Sequence, residues 1–379
     1  MSLRQTLASW FGSIDWMLFV SALLISLAGL VTMNSFTGTD RFFQRQIIWL
    51  AISIGIFFIF SFIDWRFLRK TWVIVMLYSI SCAILILLFI LGSVFKGARS
   101  WFSLGAVAFQ PSDPIKLVII LILTKYFTRR HVEIAHIRHI IVSGIYAFIM
   151  FILVLLQPDF GSAVIIFFLW LGMVLVSGIS KKHLFAVFAL GIIAFSGLWF
   201  YVLQPYQKER IHSFVNPLAD VRGTGYHAYQ AMIAVGSGQI FGKGVGYGTQ
   251  SKLRFLPEYQ TDFIFASFAE EWGFVGVALL LLVFAILIWR ILKNAMYGST
   301  NFEILFGAGI AILFITQFMI HVGMNIGLLP VTGKTLPFMS YGGSHLLTEF
   351  AALGILVGMR RYKRAVHKSS AENELVGIS

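Results

Sequence analysis

The chain has 379 residues, of which 58% are apolar and only 12% are charged, and its mean hydropathy is +0.85. Because a soluble domain carries about a quarter charged residues, this composition excludes an ordinary water-soluble enzyme. The 29 basic and 16 acidic residues give a net charge of +13, and the positions of the basic residues decide between nucleic-acid binding and membrane orientation.

Ten apolar runs follow one another along the chain. A membrane-spanning helix needs about 20 apolar residues, and only helices and closed barrels satisfy the backbone in lipid. The runs are continuous, whereas barrel strands alternate apolar and polar residues. The sequence therefore predicts an all-α polytopic integral membrane protein with ten transmembrane helices. The runs lie close to 15–35, 44–63, 71–92, 113–127, 138–156, 161–179, 183–203, 263–292, 302–327 and 341–359.

Basic residues are concentrated after every second apolar run. Membrane proteins keep such loops in the cytoplasm, so we expect these loops and both termini to be cytoplasmic. This pattern accounts for most of the positive charge, and we therefore expect no nucleic-acid partner. No small-residue cleavage motif follows the first run, which we expect to be a retained span rather than a signal peptide. The residues concerned are Arg66, Arg69, Lys70, Lys125, Arg129, Arg130, Arg138, Lys181, Lys182, Arg290, Lys293, Arg360, Arg361, Lys363 and Arg364.

A long stretch without an apolar run, residues 204–261, separates the seventh and eighth runs on the predicted outer side. It contains many aromatic and aliphatic residues, which is not typical of disorder, and long loops in compact folds are usually functional or disordered. We expect a large extracytoplasmic loop that folds onto the outer face of the helices. Residues 1–368 are predicted to form one transmembrane domain, and residues 369–379 a disordered cytoplasmic tail.

Acidic residues are few, and several of them lie at the outer ends of the predicted spans. Ionisable groups at membrane depth are costly and usually face a polar interior. Glu270 and Glu271 are adjacent and about two turns into a predicted helix, so at least one of them must face the bundle interior. The acids, together with nearby cations, predict a polar site that opens outward. The set is Asp113, Asp159, Glu258, Asp262, Glu270 and Glu271, with Arg99, Lys116, Arg210, Lys243, Lys252 and Arg254.

Structural roles are alternatives for several of these residues. Asp262 precedes the eighth predicted helix, where a carboxylate can cap free backbone N–H groups. Asp113 stands at the start of the fourth helix and can cap it in the same way, or pair with Lys116 one turn further on. Asp159 lies in a Gln-Pro-Asp-Phe-Gly sequence and can be a turn residue. Composition alone leaves these alternatives open.

Four sequence blocks resemble the signatures of the SEDS family of membrane glycosyltransferases. The two longest are GKGVGYGTQSKLRFLPEYQTDFIFASFAEEWGFVG at 242–276 and LLPVTGKTLPFMSYGGS at 328–344. Two shorter blocks, GARSWFSLGAVAFQPSDPIK at 97–116 and QPDFGS at 157–162, agree with them. The sequence GTQSKLRFLPE is most similar to the RodA-type elongation members of the family, with the sporulation member as an open alternative.

The resemblance implies a peptidoglycan glycosyltransferase at the outer face of a bacterial cytoplasmic membrane. Members of the family polymerise lipid II, a disaccharide linked to undecaprenyl pyrophosphate, into glycan strands for cell elongation and rod shape. Asp262 takes the position of the family's essential aspartate and is expected to be the catalytic base. The product inverts the donor linkage, so one base without a covalent intermediate suffices.

The resemblance also implies ligands and partners. The leaving pyrophosphate needs cations or hydrogen-bond donors, and we expect the outer residues to bind substrate. The sequence shows no ligand set for a cofactor, and a divalent cation such as Mg²⁺ is an open alternative at the pyrophosphate. A class B penicillin-binding protein is expected to supply the transpeptidase. The expected substrate-binding residues are Arg99, Asp113, Lys116, Asp159, Arg210, Lys243 and Glu258.

The chain departs from the usual pattern of the family at five positions. Asp113 stands where the family usually has Glu, His321 where Asn is common, and His345 where Ser is usual. Lys334 replaces an apolar residue, and Glu349 adds an acid to the tenth span. None of these changes touches the block around Asp262. A flippase for a lipid-linked cell-wall precursor and a scaffold for cell-wall assembly are the alternative functions.

Overall fold

The structure is a computed structural model that describes residues 14–35, 41–95, 98–104, 107–128, 137–201, 203–215, 224–253, 255–256, 258–298 and 300–376. Helices dominate it. They are α1 (Trp16–Asn34), α2 (Arg41–Phe62), α3 (Thr71–Leu91), α4 (Ser112–Thr128), α5 (Ile137–Leu156), α6 (Phe160–Val176), α7 (Lys181–Tyr201), α8 (Pro205–Val215), α9 (Thr224–Ser237), α10 (Thr249–Lys252), α11 (Ile264–Met296), α12 (Asn301–Asn325) and α13 (Gly343–Val376), with a short 3₁₀ helix at Trp65–Arg69.

The helices confirm the predicted polytopic membrane fold. α1 to α7 and α11 to α13 coincide with the ten apolar runs to within a few residues, apart from the C-terminal ends of α11 and α13. Six of the helices in the described ranges, α1, α2, α3, α5, α11 and α12, are long and apolar enough to cross a membrane by length and composition. α4 and α6 have 17 residues each. α13 is helical as far as Val376, and so continues into the segment expected to be a disordered tail.

A small antiparallel sheet lies between α3 and α4, where the sequence predicted only a loop. Its strands are β1 (Ser93–Phe95), β2 (Ala98–Leu104) and β3 (Val107–Phe109), with β2 in the centre. Phe102 pairs with Phe109 across β2 and β3. Aromatic and β-branched residues favour paired strands, but strands this short leave little periodicity to find in the sequence.

The bundle is built around α11, α12 and α13. α13 packs along α2, α11 lies against both α1 and α12, and α12 contacts α4 and α6. Aromatic rings in edge-to-face contact lie in the centre, including Phe314, Phe338 and Phe350. Large apolar side chains cover the outside, such as Ile90 at 75% exposure and Phe185 at 77%. An outer surface of this kind is expected of a protein solvated by lipid.

Two sets of ion pairs tie together the end of the bundle that carries the basic loops. Asp15 caps α1 by accepting the Leu18 N–H at 3.1 Å and also pairs with Arg290 at 2.5 Å. At the same end, Arg69 pairs with Glu303. The candidate site lies at the opposite end.

The long loop between α7 and α11 packs onto this opposite end. α9 lies against α11, and its buried Ala231 and Ala234 form a small apolar cluster with Leu256, Tyr259 and Phe263. Apolar residues of the loop thus dock it onto the helices, although Ile240 and Phe255, two of the residues that argued against disorder, are exposed.

Candidate active site

Asp262 lies in a tight turn that leads into α11. The backbone N–H groups of Thr261, Asp262 and Phe263 all donate to the carbonyl oxygen of Glu258, at 3.1, 3.1 and 3.2 Å. Glu258 has a φ of +49°, a conformation that non-glycine residues adopt mostly in special turns. Asp262 is partly exposed, so the turn leaves this residue at the surface of the bundle rather than sealing it in the core.

The N-cap position of α11 falls one residue after Asp262. The N-cap residue of α11 is Phe263, which makes no side-chain cap. One of the free backbone N–H groups at the start of α11 is bound by Asn325 of α12, whose Oδ1 accepts the Ala266 N–H at 3.2 Å. The Nδ2 of Asn325 donates to the Asp262 carbonyl at 3.1 Å. A side chain of α12 thus contributes to the cap at the start of α11. Sequence reasoning missed Asn325, whose partner is 63 residues away in the chain.

Residues 330–342, here called the site loop, form a wall beside Asp262. A Cβ atom placed on Gly333 would lie 3.5 Å from Asp262 Oδ2, so the loop backbone borders the carboxylate. At the far end of the loop, Ser340 Oγ donates to the carbonyl of Thr261 at 2.8 Å. The two longest family-like blocks thus meet at Asp262.

Arg210 is the predicted substrate-binding cation that the structure places at this wall. It lies on α8, is partly exposed, and its Nη1 is 3.4 Å from the carbonyl oxygen of Val331. The guanidinium therefore lies next to the site loop, and the residue that it contacts, Val331, is two residues before Gly333. A planar cation in this place suits an anionic leaving group.

Asp159 and Lys334 form a buried ion pair between α6 and the site loop. Lys334 Nζ is 2.6 Å from Asp159 Oδ1, and Asp159 also caps α6 by accepting the Ser162 N–H at 3.0 Å. Burial alone would raise the pKa of Asp159, but the Lys334 ammonium and the Ser162 hydrogen bonds hold it below its ordinary value. Asp159 is thus a charged cap and a salt-bridge partner, which is more than the turn residue of the alternative.

Asp113 and Lys116 pair on α4, as the structural alternative predicted. Their charged groups are 3.0 Å apart and both side chains are buried. Ser344 Oγ donates to Asp113 at 3.0 Å, and His345 Nδ1 lies 3.6 Å from it. His345 in turn is 2.8 Å from Glu349. Asp113, His345 and Glu349, three departures from the family pattern, therefore belong to one buried network. A direct substrate contact by Asp113 or Lys116 stays a prediction.

Glu270 and Glu271 both face inward, and both hold a glycine-rich loop (residues 238–251) against α11. Glu270 accepts from Lys243 Nζ at 2.8 Å and from the backbone N–H groups of Gln250 and Ser251. Glu271 accepts the N–H of Gly246 at 2.7 Å. Lys243, which we expected to bind substrate, is therefore paired within the protein.

We expect Glu270→Gln to lower the free energy of unfolding by about 3 kcal/mol, because it leaves the buried end of the Lys243 pair without its charge. The Gln amide also places an N–H donor beside Lys243 Nζ and the backbone N–H groups of Gln250 and Ser251, which are donors themselves. Denaturation of the purified protein in detergent measures this change. Glu209→Gln, at an exposed position on α8, is the control and should leave stability within about 0.5 kcal/mol; an equal loss in both variants would contradict the assignment.

The two remaining predicted site residues are Arg99 and Glu258. Arg99 belongs to β2, and its side chain lies outside the described part of the structure. The Glu258 side chain is exposed and accepts from Thr261 Oγ1 at 3.0 Å. Among the described residues, there is no group of three or more His, Cys, Asp or Glu side chains that could hold a metal ion.

Comparison with known proteins confirms the family that the motifs indicated. The model of the FtsW, RodA and SpoVE family, described as "Cell cycle protein", matches residues 9–365. Stage V sporulation protein E of Bacillus subtilis is 37% identical over 363 residues, which cover 92% of this chain and 98% of that protein. Peptidoglycan glycosyltransferase MrdB of Escherichia coli is 36% identical over 293 residues, covering 77% and 79%.

Solved structures give the same result. A chain from a structure of a peptidoglycan synthase complex superposes with a TM-score of 0.78 at 30% identity, covering 92% of this chain and 98% of that one. The rod shape determining protein RodA of Thermus thermophilus superposes with a TM-score of 0.69 at 30% identity, covering 92% and 96%. The chain belongs to the FtsW/RodA/SpoVE family, called SEDS, of polytopic membrane proteins.

Proposed function

We propose that this protein is a peptidoglycan glycosyltransferase that polymerises lipid II at the outer face of the cytoplasmic membrane, with Asp262 as the catalytic base. The observation that carries the proposal is the partly exposed Asp262 at the junction of the two longest family-like blocks, bordered by Gly333. The relatives named as peptidoglycan glycosyltransferases support the substrate class.

In the proposed reaction, a sugar hydroxyl of one lipid-linked saccharide attacks the anomeric carbon of another. The new bond joins the hydroxyl oxygen to that carbon, the bond from the carbon to the pyrophosphate oxygen breaks, and the hydroxyl proton passes to Asp262. The configuration at the carbon inverts in this single displacement. Undecaprenyl pyrophosphate leaves with an increased negative charge, and Arg210 is the residue that we propose stabilises this charge.

The cellular role that we propose is elongation of the rod-shaped cell, with a class B penicillin-binding protein as partner. The GTQSKLRFLPE sequence supports the elongation role, and the similarity to a chain of a complex that coordinates polymerization and crosslinking supports the partner. The basic loops support an orientation with both termini in the cytoplasm of a bacterium. Expression in a strain depleted of its elongation polymerase tests the role, because a division or sporulation enzyme would not restore rod shape.

The test of the activity is a polymerisation assay. The purified chain and its cognate transpeptidase, with lipid II in detergent, should yield glycan polymer on a gel, and the polymer should still form when a β-lactam inhibits the transpeptidase. Magnesium is varied with a chelator in a parallel reaction. Absence of polymer, together with transfer of lipid II between the leaflets of vesicles, would contradict the proposal and favour the flippase alternative.

Arg210→Ala should lower the polymerisation rate roughly tenfold or more, because it removes a cation beside the leaving group. The control is Lys208→Ala on the same helix, for which we expect a rate within about twofold of wild type. Initial rates at saturating lipid II compare the two variants. Equal rates for Arg210→Ala and the wild type would remove Arg210 from the site.

A further inference from the structure

Lys334 is a buried cation one residue from the part of the site loop that borders Asp262. Its Nζ lies 2.6 Å from Asp159 Oδ1 and 2.7 Å from Ser162 Oγ. A buried ammonium is stable only with partners of this kind. The Lys334 side chain therefore ties the site loop to the start of α6.

The backbone of Lys334 is held as firmly as its side chain. His321 of α12 lies with Nδ1 2.6 Å from the Lys334 carbonyl oxygen. The stem of the lysine runs across Gly161, where a Cβ atom would lie 2.5 Å from Lys334 Cε. Both the main chain and the side chain of Lys334 are thus fixed, one against α12 and the other against α6.

The same helix α12 fixes the turn that carries Asp262. Asn325 Nδ2 donates to the Asp262 carbonyl at 3.1 Å and to the His321 carbonyl at 2.8 Å. One face of α12 therefore positions both walls of the site: Asn325 holds the Asp262 turn and His321 holds the site loop. The ion pair of Lys334 with Asp159 adds the third point of attachment.

We propose that Lys334 and Asp159 are positioning residues that set the distance between the site loop and the Asp262 carboxylate. This proposal rests on the proposed function. The pair does not touch the reacting atoms and acts through Gly333, the neighbour of Lys334. A buried salt bridge adds little stability compared with apolar residues of similar size, so placement of the loop is the effect that distinguishes this pair. It also replaces the expectation that Asp159 contacts substrate.

The test is a double variant, Lys334→Met with Asp159→Asn, assayed for polymer with the transpeptidase partner. Each single variant leaves one buried group without its partner, whereas the double variant removes both charges and should fold and bind the partner as the wild type does. A 1 Å misplacement at an active site can cost about 100-fold, and we expect kcat of the double variant to fall about tenfold or more. The KM for lipid II should stay within about twofold.

The control is a second ion pair, half-buried Arg69 with buried Glu303, at the opposite end of the bundle. Arg69→Met with Glu303→Gln makes the same chemical change far from the site loop. We expect wild-type kcat in this control. If folding alone governed activity, the two double variants would behave alike, which would overturn the positioning role.

A second measurement reports on the loop without any substrate. In a Cys82→Ser background, Thr332→Cys places one thiol on the half-buried site loop. Maleimide should label this thiol several-fold faster in the Lys334/Asp159 double variant, because the loop is no longer attached to α6. Wild-type kcat together with an unchanged labelling rate would overturn the proposal. Because labelling needs no lipid II, it distinguishes a failure of the positioning proposal from a failure of the glycosyltransferase assignment.

Lys334→Arg decides the outcome if the double variant does not fold. This variant keeps the charge pair with Asp159 but carries a longer and wider cation on Gly161. We expect it to fold, to label at Thr332→Cys faster than the wild type, and to lose kcat with KM nearly unchanged. Wild-type kcat with faster labelling would show that loop position does not matter, and would also overturn the proposal.

Discussion

Asp262→Asn should reduce glycan polymerisation by at least roughly 100-fold, because an amide cannot accept the proton of the attacking hydroxyl. The substitution keeps the size of the side chain. The backbone contacts of the turn, which run through the Glu258 carbonyl and through Asn325, do not involve the carboxylate. The variant should therefore fold and bind its transpeptidase partner as the wild type does.

Asp64→Asn is the matched control for this substitution. Asp64 lies at the basic end of the bundle, where it pairs with Arg66 at 2.5 Å, and its neutralisation should leave the polymerisation rate within about twofold. Steady-state polymer formation compares both variants with the wild type. Undiminished polymer from Asp262→Asn would refute the catalytic assignment, and an equal loss in both variants would indicate a general effect of charge.

Gly273→Ala should have the largest effect on folding, with a loss of roughly 3 kcal/mol or more in the free energy of unfolding. Gly273 has φ +63° and ψ −166° within α11, a region that only glycine occupies without strain. A Cβ atom there would lie 2.2 Å from the backbone nitrogen of Gly242, which is closer than any real contact.

The break at Gly273 lets α11 bind the glycine-rich loop through its backbone. The carbonyls of Glu270 and Glu271 accept the N–H groups of Lys243 and Gly244, both at 3.0 Å. On the loop side, carbonyl oxygens accept the N–H groups of the two residues that follow Gly273, at 2.8 and 3.0 Å. Hydrogen bonds that a straight helix would make within itself thus join the loop to the helix.

Gly236→Ala is the control for the glycine prediction. Gly236 lies on helix α9, and a Cβ atom there would meet nothing within 4 Å, so this change should be neutral or slightly stabilising. Thermal unfolding in detergent and limited proteolysis of the loop compare the two variants. Gly273→Ala with wild-type stability and an uncut loop would contradict the structural role of the break.

The sequence predicted the helices because each apolar run is long and continuous, which is the strongest pattern that lipid imposes on a chain. It did not predict the sheet between α3 and α4, because β1 and β3 have only three residues each. The meeting of the two long blocks at Asp262 could be expected only from the family resemblance. Composition alone favoured a cap over a base at that position.

The partners of the charged residues could not be read from the sequence. Asp159 and Lys334 lie on different elements far apart in the chain, and nothing in either local sequence indicates the other. Lys243 was expected to bind substrate because it lies in a family-like block, yet Glu270, 27 residues further on, binds it. Spacing along one helix did predict the pair of Asp113 with Lys116, because residues three apart share a helix face.

The central claim is that Asp262 removes a proton during bond formation and does not merely hold the substrate. Single-turnover mixing of the chain and its partner with labelled lipid II separates binding from chemistry. We predict that Asp262→Asn binds lipid II within about threefold of the wild-type affinity while the rate of glycosidic bond formation falls by roughly 100-fold or more. An unchanged rate, or a loss of binding that accounts for the whole loss of rate, would contradict the claim.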